Sequence, residues 1–252
     1  KCTWHILIFR IYQFCPHLFY IRRICFLLGK NRNIIHPFIR WKYIKDILLI
    51  GASSFGVTVC PAITLFLINR FLIIYSGSLG VACYAVIAYV TYMVYLLLQG
   101  VGDGSQPLMS DYYGRSDRTR LKKIRIMAFV SAGVVALTGI AVLYFTRGSI
   151  GGVFGTSEEV SRMISGSLPI VLIGFIFLAY TRVETALFYA VEESAKAMIS
   201  IYSEVVFLFL LLLALPGLFG PFAIWWSIPL SQAMACMLTV IIKAAGAKRN
   251  VR

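Results

Sequence analysis

The sequence predicts an all-α integral membrane protein: a six-helix transmembrane bundle with a weaker partial helix ahead of it. Three observations carry that prediction. Hydrophobic residues make up 60% of the 252 and charged residues only 13%, against about 25% charged in an ordinary soluble domain. The apolar residues gather into runs of the roughly 20 residues that a hydrocarbon core about 30 Å thick demands. The lysines and arginines lie between those runs and favour every second gap.

Taken in chain order, residues 1–28 begin with an apolar stretch over 1–21 that His5, Arg10, Pro16 and His17 interrupt. They read as a degenerate or truncated membrane helix. A chain that opens on Lys1, with no cleavable leader after it, reads as part of a longer polypeptide. Residues 29–46 are a basic linker. Residues 47–243 hold six spans, at 47–68, 79–106, 124–146, 163–190, 198–216 and 221–242. The second and fourth are longer than a bilayer requires, so they are expected to tilt, kink or project. Residues 244–252 are a basic tail.

Charge sets the orientation. Segments 22–45, 112–125, 192–196 and 243–252 carry seven, six, one and four of the Lys and Arg residues. The gaps between them, 69–80, 147–162 and 215–221, carry one, two and none. The positive-inside rule turns that alternation into six spans with both ends of the bundle cytoplasmic, and the expected location is the plasma (inner) membrane.

The net charge of +14 does not indicate a nucleic-acid binder, because it forms no basic domain or tail. The partner it implies is a lipid bilayer. Cys2, Cys15, Cys25, Cys60, Cys83 and Cys236 are scattered through apolar stretches without a CxxC pair, and read as small apolar residues. His5, His17 and His36 all lie in the amino-terminal part, so no metal site is expected. No HExxH, GxSxG or nucleotide-binding loop is present, which leaves no hydrolytic or ATP-driven chemistry and no bound cofactor to expect.

Ionisable groups inside spans are costly and are candidate functional groups by default. Asp103, Arg182, Glu184 and Glu204 qualify. On a helix of 3.6 residues per turn, Tyr92, Tyr95, Gln99, Asp103, Gln106 and Ser110 fall within a face about 80° wide. Around Asp103, Gly100, Gly102 and Gly104 loosen the backbone, and Pro107 gives no N–H to the Asp103 carbonyl. The expectation is a broken helix whose freed carbonyl and carboxylate meet a transported cation; a simple packing kink is the alternative. Arg182 and Glu184 point to nearly opposite faces and should not pair with each other. With a hairpin tip near Ser194, Glu184 and Glu204 each lie ten residues up antiparallel helices, about 15 Å from the turn. Two carboxyls at one depth can share a proton; alternatively Arg182 neutralises Glu204.

The segment Gly100-Val-Gly-Asp-Gly-Ser-Gln-Pro-Leu-Met-Ser-Asp-Tyr-Tyr-Gly114, with the basic loop after it, resembles the end of the second span in one half of the multidrug and toxic compound extrusion (MATE) transporters. Phe188-Tyr-Ala-Val-Glu-Glu-Ser-Ala-Lys196 is similar to that family's turn before the eleventh helix. Ile224-Trp-Trp-Ser-Ile-Pro-Leu-Ser-Gln232 is similar to its last helix. The resemblance implies one lobe, the carboxy-terminal half, of a twelve-helix transporter whose other six-helix lobe is absent here. It further implies antiport, in which Na⁺ or H⁺ enters as a small organic, often cationic, compound leaves. Under that reading Asp103, Glu204 and Glu184 are the cation-coupling carboxylates and Arg182 their intramembrane charge partner. Tyr92, Tyr95, Gln99 and Gln106 line the substrate cavity. Gln232 stands where many relatives are acidic, and Ala223 where glycine is common, so the last helix is expected to serve packing. The alternatives are a lipid-linked saccharide flippase of the same superfamily, a channel-like subunit, or a fragment that transports nothing.

Overall fold

In the computed structural model, residues 41–249 are described, and every regular element among them is an α-helix. In chain order these are α1 (Trp41–Gly114), α2 (Arg118–Val153), α3 (Glu158–Leu172), α4 (Gly174–Ala190), α5 (Ser194–Phe219) and α6 (Ala223–Arg249). The weak helix expected at 1–28, and the linker up to residue 40, lie outside the described residues. Trp41 to Asp46 open α1 and so are helical where a linker was expected. Likewise α6 continues to Arg249, through most of the expected tail.

Helix α1 is two arms joined at Gly77, whose φ of 65° and ψ of −160° lie in a region essentially reserved for glycine. A straight helix of its 74 residues would run about 110 Å. Yet Cys60 and Thr64 from one arm line the same cavity as Tyr92 and Tyr95 from the other. The chain therefore doubles back at Gly77, and each arm is one crossing. Helices α1, α2, α5 and α6 are long and apolar enough to cross a bilayer, and α3 with α4 makes a further crossing bent by 41°. With α1 counted as two, the six expected spans are present.

The bend in the fourth expected span has a local cause. Pro169, inside α3, cannot donate to the carbonyl one turn back. Beyond the break, a Cβ on Gly174 would collide with the Gln232 amide and touch the Pro229 backbone. Glycine there lets α4 start hard against α6. The expected break at Gly100, Gly102, Gly104 and Pro107 does not occur: α1 stays helical through Gly114, and its non-helical residue is Gly77. Gly102 is instead a packing residue, since a Cβ on it would stand 3.3 Å from the Arg182 carbonyl oxygen. In hydrocarbon an unwound turn leaves backbone groups with no water to bond, so close packing keeps this glycine-rich stretch wound.

The interior is largely apolar but also holds a set of hydroxyls. Large apolar side chains such as Phe66, Leu97, Leu137, Phe145 and Ile241 are exposed and form the lipid-facing belt. Ser167, Thr181, Thr185, Ser200, Ser203, Ser227, Ser231 and Thr239 are buried. Most of these hydroxyls return to their own helix, as in Thr181 to the Phe177 carbonyl (3.0 Å) and Thr239 to that of Ala235 (2.8 Å). Ala128, Ala132 and Ala136, one turn apart on α2, are all buried. Small residues at that spacing let helices approach closely where no hydrophobic effect drives them together. Asp117 and Ser157 cap α2 and α3 by accepting the N–H of Arg120 and of Val160, which satisfies orphan donors at helix starts.

Two glycines of α1 make a direct test. Gly77→Ala should lower stability by about 1–3 kcal/mol through backbone strain alone, because no atom lies near its would-be Cβ. Gly104→Ala, helical and also with open space, should be neutral or stabilising by up to about 1 kcal/mol. Thermal unfolding of the two variants in detergent separates them.

Candidate functional site

Helix α4 carries Arg182 and Glu184 two residues apart, which turns them about 200° from each other around the axis. Each meets a different neighbourhood. Arg182, 8% exposed, turns to the second arm of α1. Its Nη1 donates to Gln99 Oε1 at 3.2 Å, and its guanidinium sits 4.5 Å from the centre of the Tyr95 ring. Gln99 Nε2 in turn donates to Asp103 Oδ1 at 2.8 Å, and Tyr92 stacks on Tyr95 with centroids 5.7 Å apart. The polar face of α1 is thus strung together as Asp103, Gln99, Arg182, Tyr95 and Tyr92. One-turn spacing gives the contacts within α1, and the bare Cα of Gly102 lets α4 come close enough for Arg182 to join.

Arg182 also borders a cavity of about 570 Å³, a size typical of small-molecule sites. Both arms of α1 line it together with α3, α4, α5 and α6. Phe175, Leu178 and Arg182 face it from α4, Glu204 from α5, Gln232 from α6, and Asn69, Tyr84, Tyr92 and Tyr95 from α1. Glu204 Oε1 accepts from Gln232 Nε2 at 3.3 Å. No ion pair among the described residues includes Arg182 or Glu204, so the cavity wall holds one cation and one anion that do not bond each other. Asn69 Oδ1, Tyr95 Oη, Arg182 Nε and Gln232 Oε1 are buried there without a hydrogen-bond partner in the chain. Such orphaned groups cost free energy unless something else bonds them.

Glu184 lies on the opposite side of α4. Its side chain is 0% exposed, and Oε1 accepts both from Arg125 Nη2 of α2 and from Lys243 Nζ of α6, the latter at 2.8 Å. One buried carboxylate therefore ties three helices together. The shared-proton arrangement of Glu184 with Glu204 is not what forms. Helix α4 ends at Ala190, leaving Glu184 only about 9 Å from its end, while Glu204 is about 15 Å into α5, and the two carboxylates face different neighbours. Arg182 and Glu204 do not form an ion pair either. Asp103 is exposed and reaches the cavity's edge only through Gln99, and Gln106 belongs neither to the chain of contacts nor to the cavity wall.

Three participants were hidden in the sequence. Arg125 and Lys243 sit at the edges of basic segments, where the positive-inside bias already accounts for any cation. Gln232, expected to serve packing, is the direct partner of Glu204. A signal for the first two was available: each lies at the margin of an apolar run, one long side chain away from a carboxylate within a neighbouring span.

Apolar-skinned helices thus surround a largely apolar cavity whose wall holds one cation, Arg182, and one anion, Glu204. The MatE family model matches residues 54–214, and the chain belongs to that family. It is similar to the multidrug export protein MepA of Staphylococcus saprophyticus, at 21% identity over 78% of this chain and 43% of the relative. It is also similar to MepA of Staphylococcus haemolyticus, at 22% identity over 83% and 46%. The chain thus spans less than half the length of these curated relatives. Among solved structures, a MOP superfamily transporter from Pyrococcus furiosus superposes with a TM-score of 0.75 at 16% identity, over 84% of this chain and 48% of that one. The outward-facing form of a multidrug resistance MATE family transporter gives 0.72 at 17%, over 86% and 50%. The fold is that of half of such a transporter.

The Glu184 cluster makes a stability prediction. Glu184→Gln leaves the Arg125 and Lys243 cations facing each other without a carboxylate, and removing one partner of a buried charge group costs about 3–5 kcal/mol. Both cations keep about a third of their side-chain surface exposed, so the low end, about 3 kcal/mol, is expected. Glu204→Gln, which removes no ion pair, should shift the unfolding midpoint much less.

Proposed function

We propose that the chain is the carboxy-terminal lobe of a multidrug efflux transporter of the plasma membrane, working by alternating access together with an amino-terminal six-helix lobe. In this reading organic compounds leave as Na⁺ or H⁺ enters, and both ends of the bundle are cytoplasmic. The observation that carries it is the cavity, whose lone carboxylate, Glu204, stands among aromatic rings. What further supports it is membership of the MatE family and likeness to proteins named for multidrug export.

Glu204 is the carboxylate assigned to the coupling cation: it faces the cavity and has a single neutral hydrogen-bond partner. Asp103 is assigned a positioning role, because it orients Gln99 and through it Arg182. Tyr92 and Tyr95 form an aromatic wall, and Gln99 lies behind it. Glu184, already held by two cations, is assigned to holding the lobe together rather than to coupling. A lipid-linked saccharide flippase would call for several cations to hold a pyrophosphate, and Arg182 is the sole Lys or Arg among the described residues that line the cavity.

Vesicles containing the complete protein test the reading. Glu204→Gln should abolish efflux driven by an imposed Na⁺ or H⁺ gradient. Asp103→Asn, which still offers an amide oxygen to Gln99, should weaken it by about tenfold or less, the scale of one neutral hydrogen bond. Undiminished gradient-driven efflux in Glu204→Gln would remove the proposed coupling role.

A further inference from the structure

The basic segment that joins α1 to α2 is neutralised only in part. Arg115 is bonded to Asp111 at 3.0 Å, Arg120 to Asp117 at 3.3 Å, and Arg125 to Glu184. At the same end of the bundle Lys196 and Lys243 also have carboxylate partners, Glu193 and Glu184. Arg118, Lys122 and Lys123, all exposed on the opening turns of α2, have none among the described residues. Like charges one turn apart destabilise a helix, so this trio favours an anion between its members. Its place on α2 says what kind. At 100° per residue, Lys122 and Lys123 bound a sector about 100° wide. Thr119, with an exposed hydroxyl, falls inside that sector one turn before Lys123. Ile126, Val130 and Leu137 fall inside it on the other side, and all three are exposed apolar side chains of the lipid-facing belt. Gly133 is in the sector too, and the open space where its Cβ would be leaves a notch between Val130 and Leu137. The opposite face of α2, with Ala128, Ala132 and Ala136, is the buried one.

We infer that the outer face of α2 binds an anionic phospholipid, in the cytoplasmic leaflet under the orientation proposed above. Lys122, Lys123 and the Thr119 hydroxyl donate to the phosphate oxygens, and an acyl chain lies along Ile126, Val130 and Leu137, over the Gly133 notch. The change from charge to apolar surface falls within one turn, between Lys123 and Ile126, which sets the ammonium groups at the level where headgroup meets hydrocarbon. Arg118 stands about 6 Å farther along the axis, away from the hydrocarbon, and faces the part of the headgroup beyond the phosphate. A choline or ethanolamine would put a second ammonium against it, whereas a glycerol hydroxyl or a further phosphate would not. The trio therefore selects a lipid of net negative charge over a zwitterionic one with the same chains. A small phosphate ester without chains forgoes the apolar stripe and binds less well.

The test uses the complete protein in a nonionic detergent, titrated with phosphatidylglycerol, with phosphatidylcholine of identical chains, and with glycerol phosphate as the chainless anion. Bound lipid is counted by native mass spectrometry. Phosphatidylglycerol should bind about tenfold or more tightly than phosphatidylcholine, since each cation near a membrane surface is worth about fivefold toward an anionic lipid. Lys122→Gln combined with Lys123→Gln should weaken phosphatidylglycerol by about tenfold or more on the same scale. Arg118→Gln should narrow the preference between the two lipids. Arg115→Gln combined with Arg120→Gln removes the same net charge, but from side chains already bonded to Asp111 and Asp117, and should cost much less. Equal affinity for the two lipids in the unaltered protein overturns the proposal without any variant. Equal losses in the two double variants overturn it as well, because attraction to net charge alone then accounts for the binding. Glycerol phosphate that displaces phosphatidylglycerol at equal concentration overturns it in favour of a site for free anions.

Discussion

Helix α4 has to carry two opposite charges through a medium that tolerates neither alone, and the rest of the lobe is arranged around that requirement. An isolated ion in a hydrocarbon interior is prohibitively expensive. Arg182 and Glu184 cannot neutralise each other because they project from opposite sides of the helix. Each must therefore recruit neighbours. Glu184 draws in cations from α2 and α6, which ties together helices distant in sequence. Arg182 draws in the polar stripe of α1, which brings the second arm of that helix against α4 and closes one side of the cavity. The two neighbourhoods differ in kind: the first holds its carboxylate between two cations, and the second borders the cavity, with Arg182 in no ion pair among the described residues.

Small residues make these approaches possible. Gly102 brings α1 onto the backbone of α4, and Gly174 brings the start of α4 onto α6 beside Gln232. Alanines at one-turn spacing bury one stripe of α2. Where lipid is as apolar as leucine, such contacts and the interhelical hydrogen bonds supply the association energy that burial of apolar surface supplies in water. That the belt is apolar, and that the buried hydroxyls mostly bond their own helices, follows from the same condition.

Much of the fold was legible because the bilayer imposes one dominant rule, and runs of apolar residues register it directly. Span positions followed from hydrophobicity alone, and the expected kink in the fourth span appears at Ile173, between α3 and α4. The break at Gly100 to Pro107 was misjudged because local propensity favours unwinding there, while packing of Gly102 against α4 and the cost of bare backbone in lipid favour a helix. The turn at Gly77 falls within 69–80, the gap expected between the first two spans. Within the site, Tyr92, Tyr95, Gln99 and Asp103 shared a face by periodicity, which sequence displays well. Arg125, Lys243 and Gln232 depend on which helices become neighbours, and single-sequence periodicity contains no such information. Arg182 and Glu184 were visible as buried charges, but their partners were not.

Helix α4 separates a ligand-sized cavity from a helix junction whose carboxylate, Glu184, is fully buried. Single cysteines placed along α4 from position 175 to 186, in a background lacking the native cysteines, test it through their reaction with a charged, water-soluble thiol reagent. Although all of the positions compared are buried, the account predicts rapid labelling at 175, 178 and 182, which line the cavity, and little at 179, 183, 184 and 186, which do not. Labelling of 184 as fast as 182, or no labelling of 175, 178 and 182, would contradict it.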